Sequence, residues 1–130
     1  MRNAIKRHID HDLDANRINT EEASKLRGLK KLIRSNAIIK LKAQQYRCAY
    51  SFFPLSILPS FARFSFERID NLLPHFTLTG ELTNIVFICR LFNGRRQMSR
   101  KKLLQYYMSQ KLVEVPIEAR QQAENELLLF

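Results

Sequence analysis

Ile5, Ile9 and Leu13 recur every fourth residue, so the first periodic stretch predicts a short amphipathic helix from about residue 3. Residues Asn16 to Thr20 break the pattern. Asn19 or Thr20 suits the N-cap of the next helix, with Glu21 and Glu22 in its first turn, where the helix dipole favours acids. That helix is expected to run from about Glu21 to Tyr46. Ala23, Leu26, Leu29, Ile33, Ala37 and Leu41 share one face at 3.6-residue spacing, and Gly28 is absorbed at a cost of about 1 kcal/mol.

An uncharged stretch, Cys48 to Ala62, follows. It is too short for a membrane span, which takes about 20 apolar residues, and Pro54 and Pro59 interrupt it. It reads as an irregular connection whose Phe52, Phe53, Leu55, Ile57 and Leu58 cross the core, or else as a protein interface. Phe61 to Leu73 predicts a short helix carrying Phe66, Ile69, Leu72 and Leu73, stopped by Pro74. Thr77 or Thr79 could cap a further helix over Glu81 to Phe92, closed by Asn93-Gly94. Ile85, Val86 and Ile88 would equally suit a buried strand. Ser99 starts a helix to about Leu112, and Pro116 fits the first turn of a last one ending in Leu127 to Phe130.

These elements predict an all-α fold. It is a single domain over residues 1–130, a compact bundle of four to six helices with a long second helix and one irregular apolar connection. With only 3 Gly and 4 Pro, the composition suits helices better than a many-turned sandwich.

Charge changes the picture most. The chain carries 22 Lys and Arg against 12 Asp and Glu, a formal net charge of +10, which favours anionic partners. Between Ala23 and Phe66 there is no acid, and Arg27, Lys31, Arg34 and Lys42 fall together beside the apolar face of the long helix. Between Leu82 and Val113 there is again none, and Arg95, Arg96, Arg100, Lys101 and Lys102 lie at a helix start that could add its own amide groups to a phosphate site. The expected partner is nucleic acid, an RNA or DNA backbone held without sequence readout, or an acidic protein. The turn near Arg95 is longer than the three or four residues of a helix-turn-helix, so major-groove reading is not implied.

Other motifs carry less. In one register Asp10, Asp12, Asp14 and Glu21 resemble positions 1, 3, 5 and 12 of an EF-hand calcium loop, which implies a degenerate calcium binder. Ala15 replaces the glycine of the turn and the apolar stripe favours helix there, so no specific calcium site is expected. His8, His11 and Asp12 are neighbours on a helix without a further strong ligand, and read as solvated side chains; His75 reads as isolated. Cys48 and Cys89 follow no metal or redox spacing and read as buried free thiols. No nucleophile elbow, phosphate-binding glycine loop or apolar carboxylate pair is found, so a non-enzymatic protein without cofactor or metal is expected.

The second functional reading is a protein-interaction module, a subunit of a larger complex or a secreted bacterial effector. It rests on Cys48–Ala62 and on a tail that joins Glu118, Glu124 and Glu126 to a hydrophobic end, similar to the C-terminal signals of some type IV secretion substrates. The N-terminal residues have no signal-peptide core, so a reducing intracellular setting, or export through a C-terminal signal, is expected.

Overall fold

The computed structural model describes residues 4–50, 55, 64–89, 115 and 117–128. Four helices and a two-stranded antiparallel sheet occupy these residues, α1 (Ala4–Asp14), α2 (Thr20–Arg27), α3 (Lys30–Ala43), β1 (Phe64–Arg68), β2 (Ile85–Cys89) and α4 (Ile117–Leu128). About 52% of them are helical and 11% extended, so the protein is mixed α and β rather than all-α.

α1 and α2 follow the apolar spacing. Ile5 and Ile9 are fully buried, and Asn19 caps α2 in a reciprocal box: its Oδ1 accepts from the Glu22 amide at 2.8 Å while the Glu22 carboxylate accepts from the Asn19 amide at 3.0 Å. The expected long helix is two. At Gly28 and Leu29 the regular ladder gives way to a tighter bond from the Leu29 amide to the Leu26 carbonyl. Glycine lacks the side chain that would favour continuing the helix, and it loses more backbone entropy on becoming helical than any other residue. The buried face nonetheless reads through the break: Ala23, Leu26, Ile33, Ala37 and Leu41 are all buried. α3 stops at Ala43 rather than Tyr46 because Gln45 and Tyr46 take left-handed conformations, φ 56° and 59°.

The strands are the main correction. Phe64–Arg68 is extended where a helix was expected, and of its proposed apolar face only Phe66 is buried; Ile69, Leu72 and Leu73 are exposed. The competing signal was the period-two alternation Phe64-Ser65-Phe66-Glu67, which suits a strand with one face inward. Ile85–Cys89 resolves as the buried strand, where stiff β-branched side chains pack well on a pleated surface. Thr77 caps no helix; its hydroxyl accepts from the Glu81 amide at 2.9 Å within a turn.

Two compact units divide the chain. The first comprises Met1–Lys40, Glu67–Val86 and Asn125–Phe130, the second Leu41–Phe66 and Phe87–Glu124. In the second, Phe66 and Phe87 pack with their rings tilted by 32° and centroids 5.1 Å apart, and the Gln44 side-chain amide bonds both the amide and the carbonyl of Phe87, each at 2.9 Å. A side chain thus stands in for a further strand. Cys48 is buried there as a free thiol and Leu55 is buried as well; Ala49 is half-buried, Tyr50 is exposed, and residues 51–54 and 56–62 lie outside the described residues. So do the Asn93-Gly94 cap and the helix expected from Ser99.

In the first unit the connection from β1 to β2 is knotted by Asn84. Its Nδ2 donates to the carbonyls of Asp70 at 3.0 Å and Pro74 at 2.9 Å, its Oδ1 accepts from the Asp70 amide at 2.8 Å, and its own carbonyl accepts from the Ile69 amide. Arg68 adds a bond to the Asn71 carbonyl at 2.9 Å. Farther along, Gly80 meets α3: its φ is 81°, a Cβ there would sit 3.3 Å from Ile33 Cγ1, and its carbonyl accepts from Asn36 at 3.0 Å. Gly80→Ala is therefore expected to lose about 1–2 kcal/mol of stability, the cost of a left-handed non-glycine residue. A urea denaturation midpoint shared with the parent protein would refute the close approach.

Candidate functional site

Asp12 is the most unusual residue in the described chain, an acid with 0% exposure. It lies three residues beyond Ile9 and seven beyond Ile5, on the inward face of α1. Its Oδ1 accepts from Arg17 Nε at 2.8 Å and from His75 Nδ1 at 2.9 Å, and its Oδ2 accepts from the His75 backbone amide at 2.8 Å. Its main-chain carbonyl accepts from the Arg17 amide at 2.9 Å, closing the turn that leads to α2. Burial alone would push the Asp12 carboxyl upward, but the bonds from His75 and Arg17 outweigh it and hold it down at about 2. An ionised acceptor at that position requires the hydrogen of His75 to sit on Nδ1.

The other histidines gather on the same ring. His8 stacks on His75 with centroids 4.4 Å apart, and His11 meets it edge-on at 6.2 Å. Burial drives the His8 pKa down to about 3, helped by His75, Arg7 and His11 and opposed by Asp12, so the ring is neutral at pH 7. Neither Asp12 nor His75 is solvated or isolated as the sequence suggested. The signal available was the place of Asp12 on the Ile5–Ile9 stripe; nothing local points to His75, 63 residues away. Among the described residues no group of three His, Cys, Asp or Glu side chains is set to hold a metal. The three aspartates of the EF-hand resemblance lie in a continuous helix, Asp12 is taken by His75 and Arg17, and Asp10 by Arg27.

The cations expected to form a binding face meet different fates. Arg27 Nη2 pairs with Asp10 at 3.0 Å, and in the second unit Lys42 Nζ lies 3.9 Å from Glu124. Lys40 donates to the Leu82 carbonyl at 2.9 Å, and its burial lowers its pKa. Lys31 is exposed and Arg34 half-buried, three residues apart on α3. Neither has an ion pair among the described residues, and Arg34 Nε is buried without a hydrogen-bond partner there. Arg95, Arg96, Arg100, Lys101 and Lys102 lie outside the described residues. No described helix is long and apolar enough to cross a membrane. Compared with known proteins, the chain matches no family model, no curated protein and no solved structure.

Two outcomes follow from the buried cluster. Asp12→Ala leaves Arg17 and His75 facing an empty site and is expected to cost about 3–5 kcal/mol, measured by urea denaturation. His8 has the lower pKa when folded, about 3 against 6.5, so unfolding takes up a proton across that window and stability falls as pH drops below about 6.5. Asp12, about 2 when folded against 3.8, adds a further loss between those values. Melting curves from pH 7 to 3 should show the first decline, and His8→Phe, which keeps a ring on His75, should flatten it. A pH-independent melting point in the parent would contradict the neutral, half-buried His8.

Proposed function

We propose that the chain is a non-enzymatic binding protein for a nucleic-acid backbone, with Lys31 and Arg34 of α3 as its phosphate contacts. The observation that carries this reading is the contrast among the cations. Arg27 and Lys42 each face a carboxylate, whereas Lys31 and Arg34 have none within ion-pair reach among the described residues. The formal charge of +10 supports the same class of partner through long-range attraction.

Each phosphate neutralised on duplex DNA contributes a slope of about −0.9 to log K against log salt. Fluorescence anisotropy with a labelled duplex at several salt concentrations is expected to show binding that weakens with salt. Lys31→Ala and Arg34→Ala should each flatten the slope by about 0.9, and Lys42→Ala should change it less. Absence of binding at low salt, or a slope that neither α3 substitution alters, would end this reading.

A second reading, a protein-interaction module, is favoured by the loop after β1. Ile69, Leu72 and Leu73 are 58%, 85% and 51% exposed, while the carbonyls of Asp70, Asn71, Leu73 and Pro74 are all taken by Asn84 or Arg68. A loop with its main-chain acceptors already satisfied can leave water for a partner's apolar surface at little desolvation cost. Leu72→Asp should leave the melting temperature almost unchanged and abolish any self-association seen by light scattering. Association that survives the substitution places the interface elsewhere.

A further inference from the structure

α3 leaves two large aliphatic side chains in water: Leu32 is 46% exposed and Ile39 64%. Seven residues apart on one helix, they point within about 20° of the same direction. Exposed Ser35 comes next around the helix on one side of this pair, then Lys31, then half-buried Arg34 at the edge of the free face. The other side is closed. There Asn36 donates to the Gly80 carbonyl at 3.0 Å and Lys40 to the Leu82 carbonyl at 2.9 Å, which seats the turn at residues 80–82 against the helix. A Cβ on Gly80 would lie 3.6 Å from Leu32 Cδ2, so that turn borders the apolar pair directly. Across its free face, α3 thus passes from cations through a hydroxyl to apolar surface, and no acid occurs in the sequence between Ala23 and Phe66.

A duplex would meet only part of this face, because its base faces are stacked inside and its phosphates outside. A single strand carries phosphates along one edge and apolar base faces along the other. We infer that α3 binds single-stranded nucleic acid, with phosphates on Lys31 and Arg34 and unstacked bases on Leu32 and Ile39. The inference rests on the reading of Lys31 and Arg34 as phosphate contacts and narrows it to one form of nucleic acid. Aliphatic side chains cover base faces without reading base edges, so the strand is held with little sequence preference. The one-sided placement of the cations favours a strand over a bilayer. A helix lying on an anionic membrane puts its apolar stripe lowest with the polar face rising on both sides, and here the turn at residues 80–82 occupies one of them.

Charge density makes the distinction measurable. Duplex DNA carries one phosphate per about 1.7 Å of its axis, roughly twice the density of one strand, so a contact made by phosphates alone favours duplex. Fluorescence anisotropy of the full chain with a labelled oligothymidine and with a duplex of equal length, at the same salt, tests the inference. The single strand is expected to bind about three- to tenfold more tightly. Ile39→Ser and Leu32→Ser should each loosen it by about threefold, with the salt slope and the duplex affinity unchanged. Both positions are exposed, and a melting curve of each variant checks that it folds. Duplex bound as tightly as the single strand, or serine variants that weaken neither ligand or both alike, would overturn the inference while leaving the phosphate contacts of α3 standing. Binding of neither ligand at low salt would end both. Co-sedimentation with phosphatidylserine vesicles that Ile39→Ser abolishes would assign the face to a membrane surface and overturn the inference as well.

Discussion

A carboxylate taken out of water costs several kcal/mol unless its oxygens are fully engaged, and Asp12 meets that demand with three donors, one from Arg17 in the adjoining turn and two from His75 far along the chain. The consequence runs outward from it. Arg17 is drawn back onto the end of α1, which forces the chain through a left-handed Asn16, φ 60°, and delivers Asn19 to the start of α2. His75 is anchored by its backbone as well as its ring, so the segment after β1 is fixed at a main-chain atom rather than at a mobile side-chain tip. His8, His11 and Phe76 then pack around the anchored ring. A lost donor anywhere in this set leaves a buried charge short of a partner.

The same device recurs wherever regular structure is scarce. Two strands alone make a marginal sheet, and Gln44 supplies to Phe87 the donor and acceptor that a neighbouring strand would have offered. Asn36 and Lys40, both on α3, hold the carbonyls of Gly80 and Leu82, and Asn84 gathers the turn after β1. Polar side chains reaching to main-chain groups are the larger part of side-chain hydrogen bonding in folded proteins generally. Here they do the work of connecting irregular segments, and several of the chain's amides and one of its lysines are committed to structure.

What could be read in advance follows from this. Local signals were legible: the α1 stripe, the Asn19 capping box and the inward face running from Ala23 to Leu41 each depend on neighbours within a turn or two. The strand Phe64–Arg68 was hidden because its alternation spans only a few residues, while Phe66, Ile69, Leu72 and Leu73 fit a helical template over a longer window. The break at Gly28 was underestimated for a related reason, since the apolar face continues across it and masks the irregular backbone. Among the cations, sequence could show an acid-free span but not that Asp10 reaches Arg27 or that Glu124 approaches Lys42, because those carboxylates come from separate helices. His75 was illegible for the same reason as its partner's role: the two are joined only by the fold.

The Asn84 knot separates what holds the turn from what the turn displays. Its bonds go to main-chain atoms, which every amino acid possesses, so the identities of Ile69, Leu72 and Leu73 are not constrained by the scaffold beneath them. Residues at such positions can change under selection without endangering the fold, and the turn's shape would persist through those changes. A surface of this kind can drift from one partner to another by side-chain replacement alone, with Asn84 as the residue that must stay.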